Sequence, residues 1–248
     1  MKDGGPHDLH HLGLGDHIML NGMARYFTEF GFKVHVIVTQ FQEETVRFMY
    51  RDTNVKVLVT PTKNNQDVRS VVVGSPLPLA TYAVPDDVWA KLTRTGDVTT
   101  WAHLPYAQAG VNPDYMRRKF RVDRDPARER ALFDSLGLKD GDIYVFEHKD
   151  PINKDFGLVS NGTRIVNPDN ASQPYNAFDW LLVIEKAREV HCANSGPYAW
   201  MIELMRLGGP HKNYFHIDAA HQEYERKAVQ CVFSTDLWKF IGSSSPRQ

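Results

Sequence analysis

Apolar residues recur with two different periods along the first half of the chain. At residues 18–30 they have helical spacing, and Gly31 follows where a helix would stop. The β-branched run at residues 33–38 has the length of a buried strand, and residues 43–50 return to helical spacing. Further strand-length runs lie at residues 8–12, 55–59 and 68–73. Strands and helices that alternate in this order predict a parallel sheet with crossover helices.

The same order of elements begins again in the second half. Strand-length runs that contain apolar or aromatic residues lie at residues 143–148, 163–166, 189–193 and 213–217. Helical spacing occupies residues 178–187 and 197–207, and we expect a shorter amphipathic helix at residues 128–136, before Gly137. The sequence therefore predicts an α/β fold of two Rossmann-like halves, with mostly parallel sheets that face a central cleft.

A charge-dense stretch marks the expected boundary between the halves. We predict a first domain at residues 1–113, a linker with a short helix at 114–140, and a second domain at 141–248. Residues 76–100 are rich in proline and predict no regular element. Two halves of this size can each bury a hydrophobic core.

Composition narrows the classes of protein that fit. Of the 248 residues, 42% are hydrophobic and 24% charged, as in ordinary globular proteins. The formal net charge of −1 gives no field that would favour nucleic acid as a partner. No apolar run approaches the roughly twenty residues of a membrane span, and the N-terminus lacks the apolar segment of a signal peptide. Because Cys192 and Cys231 are the only cysteines, a reducing cytoplasm is the expected location.

A glycine-rich turn before the first long helix is the first candidate for chemistry. Gly13 and Gly15 would let the backbone approach a ligand, and the following helix would offer free N–H groups. A dinucleotide fingerprint would need glycine where Ile18 stands. It would also need an acidic residue at the end of the next strand, where Thr39 and Gln40 stand. The pattern therefore disfavours an NAD site.

Asp16 lies at the start of the helix after this turn. A carboxylate there can take the proton from a hydroxyl nucleophile, while His10, His11 or His17 orient the acceptor or the leaving group. The alternative is that Asp16 only caps the helix, a contact that stabilises a helix by about 0.5–2 kcal/mol. Position in the sequence leaves both interpretations open.

A second turn follows the predicted strand at residues 189–193. Asn194, Ser195, Gly196 and Pro197 combine a capping side chain, a missing Cβ and a proline at the first helical position. The exposed amides of such a helix start can hold a phosphate or diphosphate without a lysine. An inert, well-capped turn is the alternative.

Further candidates lie where open α/β sheets place ligand groups. His148 and Lys149 come at the end of the strand at residues 143–148, and Lys149 could neutralise a diphosphate. Arg164 and Asp179 are weaker candidates for the same donor site. The alternative for each is a solvated charge at the end of an element.

The sequence favours no metal site. The histidines near the N-terminus have no matching carboxylate or cysteine cluster at metal-ligand spacing. Two Asp-x-Asp triplets, at residues 123–125 and 140–142, lie in a charged segment and in a turn before a strand, rather than just after a strand. We interpret both as solvated loops.

Residues 13–18 and the series from 178 to 197 together resemble the two-domain GT-B glycosyltransferases. The resemblance is to the heptosyltransferase-type enzymes and their small bacterial and viral relatives, and the helix at 178–187 is also similar to that of fucosyltransferase-like members. The resemblance extends over most of the chain, from both ends, and is patchy between residues 60 and 110. Lys149 stands where the family usually has arginine, which weakens a bidentate grip on a diphosphate.

This resemblance implies a reaction and a set of roles. Asp16 would deprotonate the acceptor hydroxyl in an inverting, metal-independent transfer, with His17 beside it. The turn at residues 195–197 and Lys149 would stabilise the departing nucleotide diphosphate. The first domain would bind the acceptor and the second the nucleotide-diphosphate sugar. That sugar nucleotide is a co-substrate, so the resemblance implies no cofactor.

Two other functions fit the same pattern. A non-catalytic nucleotide-sugar or glycan-binding protein would keep the site at Ser195 and Gly196 without any transfer. A nucleotide-sugar epimerase would carry a nicotinamide cofactor, against the missing third glycine. The expected partners are therefore a nucleotide sugar and a glycan or other hydroxyl acceptor.

Overall fold

The chain forms two compact units, residues 1–122 and 123–248. The computed structural model describes residues 13–60, 99–148, 162–168, 171, 175–193, 196–217 and 232–242. Every strand pair in these ranges is parallel, which confirms the predicted α/β class with parallel sheets. None of the described helices combines the length and the apolar composition that crossing a membrane requires.

Unit 1 contains a two-stranded parallel sheet and a long first helix. Its described elements are α1 (Leu14–Glu29), β1 (His35–Thr39), α2 (Glu43–Met49), β2 (Lys56–Thr60), α3 (Thr99–Gln108) and α4 (Tyr115–Arg118). The sheet pairs from His35 opposite Lys56 to Thr39 opposite Thr60. Thr39 and Thr60 therefore end the two strands side by side, at the carboxyl edge of this sheet.

Helix α1 packs closely against both α3 and α4. The buried Tyr106 hydroxyl of α3 donates to the Met19 carbonyl at 2.8 Å and accepts from the Met23 N–H at 3.2 Å. At Gly22, an added Cβ would lie 2.2 Å from the Tyr115 carbonyl oxygen of α4, so only glycine fits this approach. These contacts fix α1 along its length.

A buried polar stripe runs along one side of α1. His17, Asn21 and Arg25 are spaced four residues apart, so their side chains lie on one side of the helix. Arg25 forms two hydrogen bonds with Asp52, at 2.7 and 3.0 Å. The side-chain oxygen of Asn21 accepts from Arg25 Nε at 3.2 Å and from the Arg121 backbone N–H at 3.1 Å. The stripe ties α1 to the segment after α2 and to the end of unit 1.

Unit 2 is built on a five-stranded parallel sheet. Its described elements are α5 (Pro126–Ser135), β3 (Tyr144–His148), β4 (Arg164–Val166), a 3-10 helix (Ala177–Trp180), α6 (Leu181–Lys186), β5 (Glu189–Ala193), α7 (Pro197–Met205), β6 (Asn213–Ile217) and β7 (Lys239–Gly242). The strand order is β4-β3-β5-β6-β7. The chain therefore continues from β3 toward one side of the sheet and from β5 toward the other. The junction between the adjacent strands β3 and β5 is thus a topological switch point.

One face of this sheet carries a core of aromatic side chains. The ring of Phe146 in β3 lies 5.9 Å from that of Trp180 and 5.4 Å from that of Tyr198, between centroids. The ring of Phe215 in β6 lies 5.5 Å from that of Trp238. All five side chains are buried, so the 3-10 helix, α7 and the turn before β7 cover this face.

Several elements differ from the prediction. Helix α1 begins at Leu14, and the single helix predicted at residues 178–187 is a 3-10 helix followed by α6. Helices α3 and α4 and strand β7 were not predicted. Residues 114–140, predicted as a linker with a short helix, contribute α4 to unit 1 and α5 to unit 2. The strands predicted at residues 8–12 and 68–73 lie outside the described residues.

Candidate functional site

The switch point of the unit 2 sheet brings together two of the predicted donor-site segments. His148 is the last residue of β3 and pairs with Cys192 of the neighbouring strand β5. Strand β5 ends one residue later at Ala193, and α7 begins at Pro197. In open parallel sheets, ligands bind in the crevice at the carboxyl ends of the strands on either side of such a point.

Gly196 and His148 are in close contact at this edge. A Cβ added to Gly196 would lie 2.5 Å from Cε1 and 2.7 Å from Nδ1 of the His148 ring. The backbone of Gly196 is extended, with φ −65° and ψ 154°, so the close approach and not the backbone angle requires glycine. The Tyr198 ring lies on the same imidazole at 4.7 Å between centroids.

The start of α7 can interact favourably with an anionic group. Gly196 occupies the N-cap position, Pro197 takes a first-turn position where a missing N–H costs nothing, and the first turn has no acidic residue. The helix end presents backbone N–H groups and the positive end of the helix dipole. Lys149, Asn194 and Ser195, also predicted for this site, lie outside the described residues.

Arg164 lies at the amino ends of the strands, opposite the carboxyl ends where the donor site is predicted, and does not belong to that site. It is the first residue of β4 and pairs with Tyr144, the first residue of β3, so it marks the amino edge. Its guanidinium donates to the carbonyls of Leu136 and Gly137, just after α5. The sequence showed a basic residue in a strand, but only the register shows at which end of the sheet it lies.

Asp179 is also removed from the donor site, because its carboxylate is fully buried in internal contacts. The side chain has no exposed surface, and its oxygens accept from Arg128 Nε at 3.0 Å and from Arg128 Nη2 at 2.8 Å. The backbone N–H of Asn176 donates to the same carboxylate at 2.9 Å. Asp179 therefore fixes the start of the 3-10 helix against α5.

In unit 1, the predicted glycine-rich turn is the start of α1. Gly13 is the N-cap, while Gly15 is already inside the helix and buried. The Gly13 N–H donates to Asp16 Oδ2 at 2.8 Å, so Asp16 caps the helix. Asp16 is half-buried, and burial raises the pKa of its carboxyl to about 7, although the Gly13 hydrogen bond lowers it.

His17 connects the first turn of α1 to the carboxyl end of β1. Its side chain is 3% exposed and forms a hydrogen bond with the Gln42 side chain. Gln42 Oε1 also accepts from the Thr39 backbone N–H at 3.1 Å. Burial lowers the pKa of His17 to about 4, so the ring is neutral at pH 7. Gln42 was not predicted, since only the fold brings it to His17; His10 and His11 lie outside the described residues.

A histidine pair on the other face of the unit 2 sheet was not predicted either. His191 Nδ1 lies 2.8 Å from His216 Nε2, and His191 Nε2 lies 3.4 Å from a carboxylate oxygen of Glu189. Burial lowers the pKa of His191, and burial with the neighbouring His191 lowers the pKa of His216 to about 3. Throughout the described ranges, no three His, Cys, Asp or Glu side chains are grouped as metal ligands.

Comparison of the chain with known protein families, curated proteins and solved structures finds no match. Function is therefore inferred from the residues at two places. One is the region at the carboxyl ends of β3 and β5 in unit 2, with His148 and Gly196. The other is the start of α1 in unit 1, with Asp16 and His17.

Proposed function

We propose that the chain is a glycosyltransferase that moves a sugar from a nucleotide-diphosphate sugar to a hydroxyl acceptor. Unit 2 binds the donor, and Asp16 of unit 1 is the general base. The observation that carries the proposal is the place of Asp16, a half-buried carboxyl in the first turn of α1 next to the buried His17. Burial supports the role by raising the pKa of this carboxyl to about 7. General bases work best when their pKa lies near the working pH.

The reaction is a direct displacement at the anomeric carbon. Asp16 takes the proton of the acceptor hydroxyl, and the acceptor oxygen forms a bond to the anomeric carbon. The bond from that carbon to the diphosphate oxygen breaks, and the nucleoside diphosphate leaves with the electron pair. Because the nucleophile attacks opposite the leaving group, the configuration at this carbon is inverted.

The start of α7 supports the donor half of the proposal. Negative charge develops on the diphosphate as it leaves, and preorganised N–H groups and a helix dipole stabilise such charge. Gly196 adds no side chain of its own at the start of α7, and the His148 ring lies against it. This arrangement needs no metal. Lys149, Asn194 and Ser195 stay predicted members of the same site.

We propose further that the two units have the GT-B arrangement, in which two Rossmann-like halves face a cleft. The strand order of unit 2 is one of the doubly wound orders that bind nucleotides. Unit 1 has a parallel strand pair and a helix that begins with the Gly-x-Gly-Asp series. Two Rossmann-like halves that face a cleft stay a prediction, as does a cytoplasmic location.

A non-catalytic nucleotide-sugar or glycan-binding protein is the second candidate. The hydrogen bond from the Gly13 N–H to Asp16 Oδ2 favours it, because a carboxylate that caps a helix already has a structural role. This candidate has the same donor site but no chemical step.

Turnover separates the two candidates. The full chain is incubated with nucleotide-diphosphate sugars that carry uridine, guanosine or adenosine, together with a panel of glycan acceptors. Binding is followed by the melting temperature, and turnover by release of the nucleoside diphosphate. A transferase raises its melting temperature with one nucleotide and releases that nucleoside diphosphate. A binding protein shows the same rise without release, and no response to any nucleotide would contradict both candidates.

A further inference from the structure

Two buried polar atoms of the α1 stripe have no hydrogen-bond partner within the described residues. They are Nε2 of His17 and Nδ2 of Asn21, and their side chains are 3% and 0% exposed. The two residues are four apart on α1, which places their Cβ atoms about 5–6 Å apart on one side of the helix. Buried polar groups are nearly always hydrogen-bonded, so this pair indicates a bound group that the described residues do not supply.

The contacts of Asn21 define which end of its amide points to that group. Two N–H donors, Arg25 Nε at 3.2 Å and the Arg121 backbone at 3.1 Å, meet the same side-chain oxygen. An oxygen is the acceptor end of the amide, so Nδ2 is the remaining end and can only donate.

The contacts of His17 define its free nitrogen in the same way. Since Nε2 has no partner within the described ranges, the hydrogen bond to Gln42 is made by Nδ1. A neutral ring that donates from Nδ1 to the Gln42 amide oxygen leaves Nε2 as a bare acceptor. Side chains on a helix lean toward its N-terminus, so the ring lies over the first turn of α1.

We propose that His17 and Asn21 bind one neutral O–H group, which donates to Nε2 of His17 and accepts from Nδ2 of Asn21. An anion would meet the lone pair of Nε2. A cation would meet the N–H of Asn21 and the positive end of α1. A hydroxyl group or a water molecule both donates and accepts, so it satisfies both atoms.

The source of the O–H group rests on the proposed function. In a glycosyltransferase it is a hydroxyl of the acceptor, and an ordered water is the other source of the same chemistry. Phe41, the residue before Gln42, is 72% exposed just beyond the carboxyl end of β1. An exposed aromatic ring at this place suits the apolar face of a sugar.

The ring nitrogens of His17 report the site directly. The full chain, labelled with nitrogen-15, is studied by long-range proton–nitrogen spectra at pH 7. The probes are the methyl glycosides of glucose, galactose and mannose, inorganic phosphate, and methylammonium. We expect an unprotonated, hydrogen-bonded Nε2. A shift with one of the glycosides assigns the group to a substrate hydroxyl. An unchanged, hydrogen-bonded Nε2 assigns it to a water molecule or to a hydroxyl of the chain outside the described residues.

Three results would overturn the inference. These are a protonated Nε2, an Nε2 with the chemical shift of a free imidazole in every sample, and a shift caused by phosphate or methylammonium. The readout needs no turnover, so it remains informative if the transferase proposal fails. Conversely, a transferase that lacks this O–H site would release nucleoside diphosphate while its His17 ring gives one of these three results.

A matched pair of variants tests the same point by affinity. In His17→Asn the amide reaches the position of Nδ1 only, and in His17→Gln it reaches that of Nε2. If a glycoside shifts the ring, its dissociation constant should rise by about tenfold or more in His17→Asn and change little in His17→Gln. Equal losses in two variants that both keep the native circular dichroism spectrum would contradict a role for Nε2.

Discussion

The α-carbon of Gly196 lies against the imidazole of His148, so that a Cβ at position 196 would be 2.5 Å from Cε1 of the ring. The two residues belong to different segments, the end of β3 and the start of α7. Their contact closes one side of the switch point of the unit 2 sheet. Gly196 itself adds no side chain at the start of α7.

Gly196→Ala should weaken nucleotide binding. The added methyl group forces the His148 ring or the start of α7 to move, and either movement changes the position of the N–H groups that would hold the diphosphate. We expect the dissociation constant of the nucleoside diphosphate to rise by about tenfold or more. Titration calorimetry on the full chain measures it.

Gly209→Ala is the control for this substitution. Gly209 also faces a histidine, since its added Cβ would lie 3.1 Å from Cε1 of His211. It precedes β6 and is therefore at the amino edge of the same sheet. Its nucleotide affinity should match that of the wild type. Equal affinities in Gly196→Ala and the wild type would remove the start of α7 from the donor site.

Arg128→Met should destabilise unit 2. The substitution leaves the fully buried carboxylate of Asp179 without its charged partner, while the Asn176 N–H still donates to it. Loss of one partner of a buried pair costs about 3–5 kcal/mol, and we expect about 2–3 kcal/mol because Arg128 itself is partly exposed. Urea unfolding followed by circular dichroism gives the difference.

Arg130→Met, on the same helix, is the matched control. Arg130 is as exposed as Arg128, but its partner Asp140, at 3.3 Å, has a side chain that is 61% exposed where that of Asp179 is fully buried. An exposed pair of this kind contributes about 0–1 kcal/mol. If the two variants lost equal stability, the buried carboxylate of Asp179 would not be the reason.

Stability should fall as the pH drops below about 6.5, the ordinary pKa of histidine. His17 and His216 have folded-state pKa values of about 4 and about 3, so in this pH range these two histidines bind more protons in the unfolded chain than in the folded chain. Asp16, with its raised pKa, offsets part of this loss. Between pH 7 and pH 5, His216→Gln should lose about 1–2 kcal/mol less than the wild type. Equal losses, measured by urea unfolding at both pH values, would contradict the buried neutral state of His216.

Turnover should rise with pH, because Asp16 can act as the base only when its carboxyl is ionised. The base must be ionised, so kcat/KM should rise with pH and level off above the pKa of about 7. Below that value it should fall about tenfold for each pH unit. Initial rates of nucleoside diphosphate release from pH 5 to pH 8.5 test this. A profile that is flat through pH 6 and 7 would exclude Asp16 as a base with this pKa.

The sequence predicted the central strands of unit 2 because each is a short run that contains apolar or aromatic residues. Strands β3, β5 and β6 lie within one residue of their predicted ranges. Helix α3 contains Pro105, which argues against a helix, and it was not predicted. Strand β7 has only four residues and is defined by its pairing with β6. The start of α1 was placed too late because Gly13 and Gly15 are typical of a turn.

The site depended more on long-range contacts. A strand that ends in His148 and a turn that contains Gly196 can be identified in the sequence, but their contact follows from the pairing of β3 with β5. The same is true of His17 and Gln42. Arg164 and Asp179 have residue types that suit a diphosphate or a sugar, yet the register and burial of their side chains exclude them. Residue type predicted the chemistry, and only the fold selected among the candidates.

Asp16→Asn measures the central claim most directly, with nucleoside diphosphate release as the readout and Asp125→Asn as the control. Asparagine can still accept the Gly13 N–H, and Asp125 caps α5 by accepting the Arg128 N–H at 3.1 Å, so both variants keep a capped helix. We predict that Asp16→Asn lowers turnover by about 10²–10⁴-fold with nucleotide affinity unchanged, while Asp125→Asn turns over like the wild type. Full turnover in Asp16→Asn would contradict the account.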